Sequence, residues 1–333
     1  MKIVITGGTG FLGRHLVWRA AAEGAQVIFT GRDASAAREV IDHAPAGAVR
    51  WQAVAHGEAD AQATLTDIAH DADALVHCAA LSAPWGRREA FHRANVLGTA
   101  EVIAACQANA VPRLVHISTP SVYFGFADRL RINEDASLPT PANEYVRTKL
   151  AAEALVRKAV LPSAAILRPR ALHGPWDQAL VPRLLRVMRR GPIPIMRGTD
   201  IQLDLTYIDN AVDAVWLALT RPLPRPLSVY NVSNGQPATL GALLEAIARE
   251  FGLPLRTRVL PWPVAALVAR GLEATARLGR GKEPLITRYS AGVLAFSQTL
   301  DVSRLRNELG WQASVSTEEG IQRHARWWKA RQT

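Results

Sequence analysis

Apolar residues arrive along the first half of the chain in two alternating rhythms. Short runs rich in Val, Ile and Phe at residues 2–6, 26–30, 49–54, 74–77 and 114–118 each have the length of one buried strand. Between them, residues 13–23, 34–42, 61–70 and 95–109 repeat their apolar positions at helical spacing. Strands and helices alternating at this interval need crossover connections between parallel strands. The pattern therefore predicts an α/β fold, a Rossmann doubly wound parallel sheet.

The alternation continues with a helix over 144–158 and a strand over 164–168 that Pro169 stops. Residues 170–206 are rich in Pro, Gly and Arg and read as irregular, before a helix near 210–219, a strand near 228–232 and a helix over 240–251. The expected division is a larger α/β unit of residues 1–169 and 203–233, with a smaller C-terminal lobe of residues 170–202 and 234–333. Residues 262–278 are the most lipid-like stretch, but Arg270, Glu273 and Arg277 interrupt it. It reads as a lobe helix covering an apolar ligand, or as a helix lying on a membrane surface; it is too short and charged for a span.

Composition narrows the setting. The net charge of +10 is mostly arginine spread along the chain, apart from 183–197 and 323–331, which reads as a solvated surface rather than a nucleic-acid site. The tail with Trp327 and Trp328 is expected to be a helix docked by its indoles. Cys78 and Cys106 are too few for a disulfide framework, and Ile3–Ile5 runs straight into glycines rather than forming a leader, so a cytoplasmic location is expected. Nine histidines form no H-x-x-x-H or Cys/His cluster, which predicts no metal site, and no G-x-S-x-G elbow is present.

Chemistry concentrates at two places. Gly7-Gly8-Thr9-Gly10-Phe11-Leu12-Gly13 lies between the first strand and the first helix. Residues without a Cβ allow the tight turn, and backbone N–H groups at a helix N-terminus suit a pyrophosphate, so this loop predicts dinucleotide binding. At the end of the second strand Gly31 occupies the place of a ribose-binding acid, and Arg32 follows. A guanidinium there favours the 2′-phosphate of NADP, with Arg14 adding charge; the alternative is NAD, with Asp33 on the ribose. The second place is Tyr145 and Lys149, one helical turn apart on one face. An ammonium beside a phenol is expected to draw its pKa down, so that Tyr145 exchanges a proton with a substrate oxygen while a nicotinamide exchanges a hydride. Ser118, Thr119 and Ser121 follow the fifth strand, where a substrate should sit, and spacing does not choose among them.

These residues resemble the extended short-chain dehydrogenase/reductase family, also called the NAD-dependent epimerase/dehydratase family. The matching motifs are the glycine loop, His77-Cys78-Ala79-Ala80, Asn95-Val96-Leu97-Gly98-Thr99, the Ser118 to Tyr123 segment, Tyr145-x-x-x-Lys149, and Arg168-Pro169 with His173-Gly174-Pro175. The resemblance implies that Thr119 is the catalytic hydroxyl beside Tyr145 and Lys149. It also implies that Lys149 holds the nicotinamide ribose, and that His77, Ala79, Ala80 and Pro169 line the cofactor. Asp204 to Asn210, Tyr230 to Gly235 and Glu283 to Arg288 look like the 3β-hydroxysteroid dehydrogenase branch. Ala83 to Gly86, Phe91 to Thr99 and Ser118 to Val122 are similar to bacterial 2-alkyl-3-oxoalkanoate reductases. Ser82, Trp85, Ser121 and His173 are the substrate-side candidates.

Two positions depart from the family pattern. Sugar-nucleotide epimerases carry an Asn where this chain has Ala171, and the adenine-side Asp after the third strand is missing from Val54-Ala55-His56-Gly57-Glu58. The expected function is NADP(H)-dependent interconversion of a ketone and a secondary alcohol on a small apolar substrate, sterol-like or a long-chain 3-oxo acid. The alternatives are a sugar-nucleotide epimerase/dehydratase and a non-catalytic NADP-sensing regulator. The resemblance also implies a homodimer through the helices near 95–109 and 144–158.

Overall fold

The computed structural model describes residues 1–278, 283, 284 and 286–332; Leu285 of the Glu283 to Arg288 motif lies outside the described residues. Five strands, β1 (Lys2–Thr6), β2 (Gln26–Gly31), β3 (Val49–Ala53), β4 (Ala74–His77) and β5 (Leu114–Ile117), join Ala164–Pro169 and Leu227–Val232 in one sheet. Its order is Leu227–Val232, Ala164–Pro169, β5, β4, β1, β2, β3, and every pairing is parallel. The chain winds one way from β1 through β3 and the other way from β4, so the crevice for a ligand opens beyond the carboxyl ends of β1 and β4.

Apolar runs build this sheet because both of its faces are covered. Ile3 and Ile5 pack into the layer containing α1 (Phe11–Ala22) and the helix Ile208–Thr220, while Val4 between them faces α3 (Ala61–Ile68) and the helix Gly98–Ala108. The alternation of side chains along a strand thus feeds two cores at once.

The expected helix over 95–109 divides in the structure. A π-helical turn, His92–Leu97, precedes the regular helix Gly98–Ala108. Asn95 is buried there: its Oδ1 accepts from Leu81 N at 2.7 Å, and its Nδ2 donates to the Leu81 carbonyl and to Thr148 Oγ1. The widened turn carries the amide to the loop after β4, as such turns do at functional sites.

The stretch expected to be irregular holds a helix, Leu180–Arg190, and strands of two or three residues. Pro182 falls in the helix's first turn, where a missing N–H costs little. Asp177 receives the backbone N–H groups of Ala179, Leu180 and Val181. The strand Gln202–Leu203 exists because Ala238–Thr239 and Gln298–Leu300 pair with it, and no local pattern announces partners so distant.

The helix Thr317–Ala330 closes the chain, with Trp327 against Trp176 at 5.5 Å and Trp328 near Phe251 at 6.3 Å. Trp262–Leu278 is helical, with Ala265 and Ala269 buried and Val264, Leu267 and Val268 exposed. No helix among the described residues is long and apolar enough to cross a membrane.

Candidate active site

The glycine loop is shaped by its own backbone contacts. Gly7 sits at φ +68°, and a Cβ there would lie 2.7 Å from Ala79 N; a Cβ on Gly13 would lie 2.1 Å from the Gly7 carbonyl oxygen. The loop therefore packs against the end of β4 and against the start of α1 at distances that only glycine allows. The first turn of α1 presents its free N–H groups there.

Gly31 is fixed by a neighbour: a Cβ would lie 2.4 Å from Thr9 Oγ1. An acid at this position would displace Thr9. Beyond it opens a cleft of about 640 Å³ lined by Thr9, Arg32, Asp33, Ala34 and Ser35, at the N-terminus of α2 (Ala34–Asp42). Asp33 is the N-cap of α2 and accepts from Ser35 N and Ala36 N, whereas Arg32 is exposed and makes no ion pair among the described residues. Arg14 is not available to this cleft: it is buried, pairs with Glu39 at 2.9 Å and lies over Trp176.

His77 lies at the end of β4. Its ring is 1% exposed, with Nδ1 2.6 Å from Thr6 Oγ1 and Nε2 3.1 Å from Thr99 Oγ1, so its side chain braces the core. Ala79 and Ala80, next along the chain, reach the surface. His173 is fully buried, paired in register with Tyr207 and stacked near His324 of the C-terminal helix. Pro169 ends its strand half-buried, and Trp85 lies under the Arg277 guanidinium at 5.7 Å.

The turn after β5 separates the three hydroxyl residues by what each one binds. Ser118 Oγ donates to Glu153 at 2.6 Å and is thereby committed to the core. Glu153 takes Arg168 Nε and Nη2 at 2.8 and 2.5 Å. Arg168 also donates to the Tyr123 hydroxyl, which donates to Asn231. Thr119 Oγ1 caps the 3₁₀ turn Pro120–Tyr123 by accepting from Ser121 N, and donates to Ser121 Oγ at 3.0 Å.

Tyr145 and Lys149 come from the helix Glu144–Lys158, whose N-cap Asn143 accepts from Val146 N. The Tyr145 phenol faces Ser82 and Thr119. Burial pushes its pKa up, and hydrogen bonds to those two residues draw it back. Lys149 lies one turn further along the same helix. Its Nζ donates to the Ile117 carbonyl at 2.6 Å and lies 3.5 Å from His116 Nε2, so the ammonium is anchored to the end of β5. Burial lowers the Lys149 pKa to about 8, with Glu153 and Cys78 opposing.

Sequence spacing gave no sign of Tyr289. It reaches the turn from the helix Arg288–Val293, its hydroxyl 2.6 Å from Ser121 Oγ. A hydrogen-bonded row therefore runs from Thr119 through Ser121 to Tyr289. Beside it stands an apolar wall of Phe124, Phe126, Trp262 and Phe296. No group of three His, Cys, Asp or Glu among the described residues is placed to hold a metal.

The chain is similar to known proteins in sequence and in fold. The chain is 35% identical to the 2-alkyl-3-oxoalkanoate reductase of Stenotrophomonas maltophilia over 97% of this chain and 98% of that protein. It is 32% identical to the decarboxylating sterol-4-alpha-carboxylate 3-dehydrogenase of Schizosaccharomyces pombe, over 72% of this chain and 73% of that protein. The solved structure of MoeE5 in complex with UDP-glucose and NAD superposes with a TM-score of 0.77, covering 100% of both chains at 24% identity, a likeness of fold. The family model of the NAD dependent epimerase/dehydratase family matches residues 3–233. With its named relatives reductases and dehydrogenases, the chain belongs to that family and is an NAD-dependent oxidoreductase acting on CH–OH groups.

Proposed function

We propose that this enzyme is an NADP(H)-dependent reductase that interconverts a ketone and a secondary alcohol on an apolar substrate, sterol-like or a long-chain 3-oxo acid. The observation that carries the chemistry is the phenol of Tyr145 beside the hydroxyls of Thr119 and Ser82 at the carboxyl end of β5. In the reduction direction Thr119 and Tyr145 hold the carbonyl oxygen, Tyr145 gives it a proton, and Lys149 meets the cofactor ribose. A bound nicotinamide supplies the hydride. The aromatic wall around Tyr289 suits an apolar chain. Ala171, in place of the asparagine of sugar-nucleotide epimerases, speaks against a nucleotide-sugar substrate.

Preference for NADP rests on Arg32. It lines a cleft whose acid, Asp33, is occupied in capping α2, and it makes no ion pair among the described residues. Two measurements test this reading. Tyr145→Phe should lower turnover about a hundred- to ten-thousand-fold while NADPH still binds; retained turnover would overturn the assignment. Arg32→Ala should weaken NADPH about tenfold or more and leave NADH unchanged, as read by titration of both cofactors. A homodimer through the helices Gly98–Ala108 and Glu144–Lys158 belongs to the same reading and is tested by light scattering.

A further inference from the structure

The helix Trp262–Leu278 carries its larger apolar side chains on the side away from the core. Ala265 and Ala269 are its buried positions, while Val264, Leu267 and Val268 face solvent at 48%, 70% and 51% exposure. Those three share one face at helical spacing, and Gly271 extends it: a Cβ there would meet nothing within 4 Å. A surface helix ordinarily turns polar residues outward. Val259, at the end of the strand Thr257–Val259, is 77% exposed as well, so four large apolar side chains meet water within ten residues. The helix cannot roll to hide them, because Trp262 at its start is packed against Phe126 and Phe296, with ring centres 5.8 and 5.1 Å apart.

The charges around this face have one sign. Residues 251–278 contain four arginines, Arg256, Arg258, Arg270 and Arg277, and one acid, Glu273. All four arginines are exposed and make no ion pair among the described residues. Glu273 is half-buried and accepts from Arg288 N at 2.7 Å. Arg270 and Arg277, two turns apart, follow one edge of the apolar face, and Arg277 lies 5.7 Å over the Trp85 ring. Arg256 and Arg258 are held beside the start of the helix, because Ile193 N donates to the Arg256 carbonyl at 2.8 Å and Trp262 N to the Met196 carbonyl at 3.2 Å. Acids on neighbouring segments are already paired, Glu283 with Arg183 at 3.0 Å and Asp128 with Arg197 at 2.9 Å.

We infer that this face docks on an anionic phospholipid bilayer. Val259, Val264, Leu267 and Val268 enter the boundary between headgroups and acyl chains, and the four arginines meet the lipid phosphates. A bilayer answers both halves of the pattern together: the apolar side chains leave water, and the long guanidinium side chains reach back to the headgroups. The helix lies along such a surface and does not cross it. Docking requires neither cofactor nor turnover, so it is tested separately from catalysis.

The test is co-sedimentation of the full-length protein with vesicles of phosphatidylcholine, alone or with about one third phosphatidylglycerol. Wild type should bind the anionic vesicles about tenfold or more tightly than the neutral ones. Salt at about 0.5 M should remove most of that preference. Leu267→Gln with Val268→Gln should weaken binding to anionic vesicles about tenfold or more, and Arg270→Gln about fivefold. Both replaced apolar positions are exposed, so the double variant should unfold at the wild-type temperature; should it not, Arg270→Gln decides. No wild-type binding to either vesicle, equal binding to both, or binding that neither variant changes would overturn the proposal. A wild type that self-associates and a double variant that is monomeric by sedimentation velocity, with no vesicle binding, would overturn it in favour of a second copy of the chain on this face.

Discussion

Two arginines two residues apart, on either side of one turn, meet opposite conditions. On the Glu153 side, Arg168 has a bidentate carboxylate, a tyrosine hydroxyl and the face of the Tyr123 ring at 4.9 Å. On the Tyr289 side, Arg170 has one amide oxygen and an orphaned Nε. Burial is nearly equal, so the difference is in partners. Where a buried charge is fully met by the protein, it holds the turn still. Where it is not, the charge rests on an amide oxygen, with no ion pair among the described residues.

The largest effect that would break this comparison is on stability. Glu153→Ala leaves Arg168 buried and unpaired and should cost about 3–5 kcal/mol by denaturant unfolding. Arg170→Met removes a charge held by one amide oxygen and should change stability by less than about 1 kcal/mol. A comparable loss in both variants would mean that Arg170 is as structural as its neighbour.

A second contrast, between His77 and the stacked pair His173 and His324, is read by pH. Thr6 and Thr99 satisfy the ring of His77, whereas neither nitrogen of His173 or His324 has a partner. Burial lowers the pKa of His173 to about 3, with the nearby His324 adding to it, and burial lowers that of His324 to about 4. The folded chain therefore takes up these protons later than the unfolded chain, whose histidines titrate near about 6.5. Stability from the pair is complete above that value and is lost as pH falls through it toward 4. The expected slope is on the order of 1 kcal/mol per pH unit for each ring. Denaturant midpoints of wild type and His324→Phe between pH 7 and 5 check it, and an unchanged slope in the variant would remove His324 from the account.

The smallest effect concerns Ala171, whose φ of +44° is a conformation that asparagine adopts more readily than alanine. Ala171→Asn should raise stability by about 0.5–1 kcal/mol in thermal unfolding. A loss would show that the alanine methyl, rather than the backbone, decides that position.

Legibility in the sequence followed locality. The glycine loop was readable because the turn itself demands the residues, and Tyr145 with Lys149 because a helix brings them together. The bracing of the His77 ring was not readable because its partners, Thr6 and Thr99, belong to other elements, and nothing in a histidine beside a motif says that its ring is already satisfied. Tyr289 and Gln298 reach the turn across 168 and 178 residues of chain. The sheet that carries Gln298 has strands of two to four residues, set by pairing rather than by periodicity. Among Ser118, Thr119 and Ser121, the first is taken by the carboxylate of Glu153, a partner 35 residues away that spacing does not announce.

The Arg168 network also has a consequence for the order in which the protein is made. Tyr123 donates to Asn231, and Asn231 N donates to Glu134, so the network closes only after the last strand of the sheet, Leu227–Val232, has left the ribosome. At about 5–20 residues per second, that strand follows Arg168 by roughly three to thirteen seconds. During that interval the edge of Ala164–Pro169 is unpaired and the arginine lacks its full set of partners. The nascent chain is then most exposed to aggregation, and a stall in translation between the two strands would prolong that exposure.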